Sequence, residues 1–298
     1  MIIRKTARPT LTAVEMDLGD ELRFTLADGT TRTITIESTR SQIDHSTLEP
    51  PLTPRRGART VLRCHCVLCI DGVSVELVRW IGSDRSFYEP WKLMGLRVWF
   101  DVGRDLFDHL TEDHGACKPR KAVRLAVQDA SLRICPPQLH AWCPLPEGGL
   151  RIDDCYDSCD CWCGPYFGAD AHGGLDINHP AGTPIWTPIA FDEQYLFNRL
   201  ESGDNNNRWR GIRRWDDGSS WVLQVHHVIR LRVEENRPLE AGLLLADGAG
   251  VRVGSHQHSH FVFKVVEPGA NMDEAILLDP WILFHQMYRD HADTIAPR

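Results

Sequence analysis

Early in the chain every second side chain is apolar, as in Glu21-Leu22-Arg23-Phe24-Thr25-Leu26, and the rhythm returns in Thr33-Ile34-Thr35-Ile36 after Asp28-Gly29. A period of two buries one face of a strand, and Asp-Gly favours a tight turn, so the segment predicts a β-hairpin. Val73-Ser74-Val75-Glu76-Leu77-Val78 and Leu96-Arg97-Val98-Trp99-Phe100 predict further strands. A proline-rich loop lies between Ser46 and Gly57, and a short helical stretch is expected near Leu106 to Leu110. A second cluster, Pro136-Pro137 through Pro144 and Pro146 to Gly148-Gly149, marks a domain boundary. Residues 1–135 are then a β-rich N-terminal domain, and residues 136–298 a second domain of short strands separated by Gly and Asp turns. One helix is expected over Met272 to Tyr288, divided at Asp279-Pro280 because Pro280 opens a new turn. The fold class expected from these patterns is mostly β.

Composition narrows the function classes. The chain has 298 residues, enough for about two cores, with 42% hydrophobic and 25% charged residues as in ordinary globular proteins. A net charge of -8 argues against nucleic acid as a partner, since phosphate binding draws on clustered Lys and Arg. The basic runs Arg208-Trp209-Arg210 and Arg213-Arg214-Trp215 are short, sit beside Asp204, Asp216 and Asp217, and read as a solvated hairpin face. Trp209, Trp215 and Trp221 read as hairpin core first and as the wall of a substrate groove second. No apolar core follows the charged N-terminus, so no secretory signal is visible. The longest apolar stretch, Ala275 to Phe284, is interrupted and too short to span a bilayer. All ten cysteines lie between Cys64 and Cys163, and spacings such as Cys64-His65-Cys66 put thiols on one strand face. Disulfides to another strand are the first reading, with a second metal site or reduced core thiols behind it; disulfides would require an oxidising compartment.

Half of the 14 histidines fall between His172 and His260, a window without cysteine. In His172-Gly173-Gly174-Leu175-Asp176 an imidazole and a carboxylate stand four apart, and the paired glycines favour a bend over a helix. In His258-Ser259-His260-Phe261-Val262-Phe263 a strand sends both imidazoles to one face. His172, Asp176 and His260 together are three N/O ligands that leave a fourth tetrahedral position for water, the mark of a catalytic rather than a closed zinc site. His179, before Pro180, reads as a loop residue.

Tyr166-Phe167-Gly168, His172-Gly-Gly-Leu-Asp176-Ile177 and Gly182-Thr183-Pro184-Ile185, followed by Ala241-Gly242-Leu243-Leu244, His258-Ser-His260-Phe261 and Leu278-Asp279-Pro280-Trp281, resemble the motif series of lysostaphin/LytM-type metallopeptidases. The resemblance covers roughly residues 140–285. It implies an antiparallel β-sheet or β-sandwich peptidase domain with one zinc ion held by His172, Asp176 and His260. It implies His258 as general base and a further histidine, from Val225-His226-His227-Val228, as donor to the developing oxyanion. Spacing to His258 and to Ala241-Gly242 favours His227, whereas counting forward from Gly218 favours His226; strand neighbours point to opposite faces, so one alone is expected to face the metal. His256 lies on the strand face of His258, which leaves a register shifted by two, and Phe261 after His260 favours the unshifted one.

The implied activity is hydrolysis of peptide bonds in peptidoglycan cross-bridges or stem peptides. A non-catalytic regulator of wall hydrolases and a hydrolase of another peptide are the alternatives. The resemblance and the cysteines imply a place outside the cytoplasm. The N-terminal domain is expected to be either a targeting module or a propeptide-like cover.

Overall fold

The structure is a computed structural model. It describes all residues except 114–116, 136–137, 159–161, 199–206, 249–250, 253–256 and 292–298, with side chains also left out at 251–252. The chain is mostly β, as the alternation predicts, and forms two compact units: Met1–Pro136 with Cys163–Gly173, and Pro137–Trp162 with Gly174–Arg298. The first break lies between Pro136 and Pro137, and the segment 163–173 returns to the first unit. His256, Cys159, Cys161 and residues 201–206 of the polar insertion lie outside the described residues.

The first unit holds strands β1 (Ile2–Thr6), β2 (Thr12–Met16), β3 (Glu21–Thr25), β4 (Thr31–Ser46), β5 (Thr60–Ile70), β6 (Val73–Ile81), β7 (Trp91–Leu93), β8 (Leu96–Gly103) and β9 (Val123–Asp129). One sheet runs β1-β3-β4-β5-β6 and another β2-β9-β8-β7. The hairpin predicted around Asp28-Gly29 is β3–β4, and the short helical stretch is a 3-10 helix, Arg104–His109. Strict alternation along β5 buries Leu62, Cys64, Cys66 and Leu68. The expectation of disulfides is not met: the eight described cysteines are all free thiols. Cys64 and Cys66 share the inner face of one strand, and burial pushes both thiols up to about 12, which suppresses the thiolate needed for exchange.

The second unit is built on one sheet whose central path is β10 (Leu175–Asn178), β17 (Gln257–Val266), β14 (Ser220–Ile229), β13 (Asn207–Arg214) and β12 (Glu193–Asn198). β11 (Pro184–Trp186) pairs with β15 (Leu244–Gly248), while β16 (Val251–Arg252) and β18 (Ile276–Leu278) border β17. Trp209 and Trp221 are fully buried, with Trp209 Nε1 donating to Gln194 Oε1 at 3.0 Å, so these rings are core and not groove wall. Only part of the expected helix forms. Asn271 Oδ1 accepts from Asp273 and Glu274 to close a single turn, and Ile276–Leu278 pairs with β17 instead of coiling. The helix α1 (Trp281–Asp290) starts after Pro280, with Asp279 Oδ1 accepting the Trp281 N–H at 2.8 Å. Phe284 on α1 and Phe261 on β17 pack on Trp142, which fixes the back of the sheet.

Candidate metal centre

Register places the candidate residues side by side. Asp176 on β10 faces His260 on β17, His260 faces His226 on β14, His226 faces Arg208 on β13, and Arg208 faces Asn198 on β12. Residues directly opposite on neighbouring strands project from the same face, so this row runs across the sheet on one side. His172 approaches from the turn before β10. Its ring stacks on Tyr166 at 5.3 Å, and its carbonyl accepts from Cys163 N at 3.1 Å. The bend that follows requires Gly174, where a Cβ would collide with His260 Cε1 and Nε2 and with Phe261 O.

His172, Asp176 and His260 each offer one ligand atom, and those atoms lie within 4.8 Å of one another. Among the described residues this is the one such group of His, Cys, Asp and Glu. Asp176 Oδ1 accepts from His260 Nδ1 at 2.6 Å, and Asp176 Oδ2 lies 3.3 Å from His258 Nε2. Two nitrogens and one carboxylate oxygen suit zinc, which takes imidazole and carboxylate ligands. Asp176 and His258 are buried, and His258 also packs on Tyr156 with ring centroids 4.5 Å apart.

At His226 and His227 the structure departs from the alternating pattern. Arg208 faces His226 and Asn207 faces Val228, so His227 is an extra residue, a β-bulge, with its backbone in the left-handed region at φ 63°. The bulge defeats the expectation that only one imidazole turns inward. His226 stacks on His260 at 4.5 Å and an interplanar angle of 23°, while His227 lies 4.8 Å from His258 and 6.5 Å from His260. His227 therefore stands beside the candidate base, and His226 against a candidate ligand.

Burial, and then the neighbouring His258, lowers the pKa of His227 to about 3. Burial, and then His260, holds His226 well below the usual histidine range. Burial thus favours the neutral form of both rings, the form in which an imidazole can bind a metal or accept a hydrogen bond. His179 follows β10 in a loop, as expected, but is buried there: it is 6% exposed, lies edge-on to Phe261, and is lowered to about 4 by burial and then by His258. Neither of its ring nitrogens has a hydrogen-bond partner among the described residues. Tyr156, His179, Gln224 and Arg208 were not legible as site residues. For Arg208 the usable signal was its register with His226, which depends on the bulge.

No family model matches the chain, and no curated protein matches it. Solved structures give matches of low overall superposition. The peptidase lysostaphin from Staphylococcus simulans aligns at 18% identity and TM-score 0.31, covering 39% of this chain and 44% of that one. The chain spans 42% and 44% of two lysostaphin chains, and 90% of a chain of the lysostaphin catalytic domain. An M23 peptidase from Pseudomonas aeruginosa aligns at 14% identity over 93% of both chains with TM-score 0.31. A zinc-containing peptidase from Vibrio cholerae aligns at 12% identity over 90% of this chain and 84% of that one, with TM-score 0.32. In solved structures as in motifs, lysostaphin and the M23 peptidases are what this chain is similar to.

Proposed function

We propose that the chain is a one-zinc metallopeptidase that hydrolyses amide bonds of peptidoglycan cross-bridges or stem peptides. The observation that carries this reading is the convergence of His172, Asp176 and His260 to within 4.8 Å on the same sheet face as His258. His172, Asp176 and His260 would hold the ion. When bound, zinc supplies a Lewis acid that polarises a carbonyl and lowers the pKa of water towards neutrality. Asp176 Oδ2, 3.3 Å from His258 Nε2, holds the Nε2–H tautomer, so His258 takes up a proton on Nδ1 and returns it to the leaving amine. His227 Nδ1 is buried without a hydrogen-bond partner among the described residues, and donates to the oxygen that becomes negative in the transition state. Among the described residues no helix is long and apolar enough to cross a membrane. A peptidoglycan substrate assigns the protein to the outer side of the cytoplasmic membrane.

The test is metal analysis joined to digestion of isolated peptidoglycan. One zinc per chain and release of soluble muropeptides are expected from the wild type, with both lost in His172→Ala and His260→Ala. A chain that takes up no zinc, or a zinc-loaded chain that cuts neither peptidoglycan nor small-residue peptides, overturns the reading.

A further inference from the structure

The row that crosses the sheet through Asp176, His260 and His226 continues to Arg208. A second arginine on the same strand face, Arg210, is one pleat away, and the two differ in their company. Arg210 is held on every side: its guanidinium lies over Phe197 at 4.5 Å and over Tyr195 at 5.9 Å, and its Nη1 donates to Tyr195 Oη at 3.2 Å. With the Gln224 amide oriented to satisfy both neighbours, its oxygen accepts from Arg210 Nη2 and Nε at 3.2 Å and its nitrogen donates to His226 Nε2 at 3.3 Å. Phe197 closes the set edge-on to the His226 ring at 5.7 Å. Arg213 and Arg214, further along the strand, are paired with Asp192 and Glu193 at 3.1 and 2.8 Å, as a solvated hairpin face predicts.

Arg208 has no such arrangement. It is half-buried, its Nε is shielded from solvent without an acceptor, and it makes no hydrogen bond or ion pair among the described residues. A shielded guanidinium nitrogen that lacks an acceptor costs stability unless something brings an anion to it. Its position says which anion. Arg208 stands two strands from the ligand His260, roughly 10 Å across the sheet at the usual strand spacing. That distance matches about three residues of extended peptide at ~3.3 Å each.

We infer that Arg208 is a specificity-determining residue that binds a carboxylate of the peptide substrate, about three residues from the bond cut at the metal centre. The inference rests on the peptidase reading above and narrows its substrate class to acidic peptides. The planar fork of a guanidinium suits a carboxylate, which it can grip through two parallel hydrogen bonds. Arg210, stacked and saturated, fixes the wall against which Arg208 is free to turn.

The test uses three hexapeptides of Gly and Ala with acetylated N-termini and differing only in the last residue: Glu with an amidated end, Gln with a free carboxylate, and Gln with an amidated end. Binding is measured by calorimetry on the full-length chain stripped of metal, so that no cleavage intervenes. The wild type is expected to bind at least one of the two acidic peptides about tenfold more tightly than the neutral one, the effect of one charge-assisted hydrogen bond. Which of the two is preferred separates a side-chain from a terminal carboxylate. Arg208→Gln brings the ratio to about one and Arg208→Lys, which keeps the charge, retains part of it. Equal binding of all three peptides by the wild type, or a preference that survives in Arg208→Gln, overturns the inference. Failure of the zinc-loaded wild type to cut any of the three or isolated peptidoglycan would instead strike the peptidase reading and leave the binding ratio to stand alone.

Discussion

Each unit buries a polar cluster, and the cluster around Asp101 differs from the one around His258. Around Asp101, in the first unit, buried charges answer one another. Asp101 receives Arg124 Nε at 2.6 Å, Arg124 also donates to Cys117 O at 2.7 Å, and Arg79 donates to the Asp101 carbonyl with its guanidinium 3.9 Å from the Asp101 carboxylate. Arg97 likewise bonds Gln128 Oε1 at 2.6 Å and Leu132 O at 2.7 Å. In the second unit the buried groups are imidazoles, crowded together, and His179 and the Nδ1 of His227 have no partner among the described residues. Removing one member of a buried charge pair leaves the other uncompensated, which is costly. Buried polar atoms left open cost stability, and a cluster of them beside the candidate ligands His172, Asp176 and His260 is what the proposed chemistry would need.

That contrast is open to attack from either side. The largest effect expected is on the first unit. Asp101→Asn removes the anion that faces Arg79 and Arg124, and should cost about 3–5 kcal/mol by urea unfolding, as breaking a buried pair does. A variant as stable as the wild type would show that these charges are not structural. Next is His227→Ala, which should lower kcat about 10²- to 10³-fold with zinc content unchanged. His226→Phe, which keeps the ring against His260, should cost less than about tenfold; the reverse order would exchange the roles of the two. Gly174→Ala puts a methyl into the His260 ring and should weaken zinc about 10- to 100-fold, read by competition with a chromogenic chelator.

The smallest effect concerns pH. His179 and His227 have folded pKa values of about 4 and about 3, below the ordinary histidine value of 6.5. The unfolded chain therefore takes up protons that the folded chain refuses. Their contribution is full above about pH 6.5 and is lost as pH falls towards the folded values. The melting temperature of the metal-free protein should fall through that window, and His179→Leu should flatten part of the fall. An unchanged slope would mean that His179 is not buried in its neutral form.

Much of this was written in short-range patterns. The β3–β4 hairpin followed from alternation and an Asp-Gly turn, and the triad from two spacings, because Gly-Gly permits a bend and His-x-His on a strand is one-faced. What was not legible depends on a partner strand. The bulge at His227 exists because β13 and β14 count residues differently between Asn207 and Val228, and no local feature of Gln224-Val225-His226-His227 reveals it. The burial of His179 depends on Phe261, far along the chain, and Ile276–Leu278 becomes a strand because β17 has an open edge there. The return of residues 163–173 to the first unit is long-range in the same sense.

That return has a practical consequence for cutting the gene. Gly168 O accepts from Thr60 Oγ1 at 2.6 Å, Ala169 O from Thr111 N at 2.8 Å, Glu112 O from Ala171 N at 2.7 Å and Phe167 O from Arg55 N at 2.9 Å. A truncated protein beginning near residue 137 would strip all four bonds from the stretch that leads into His172. Shortening the chain to isolate the proposed hydrolase would thus loosen the candidate ligand His172 instead of freeing the centre.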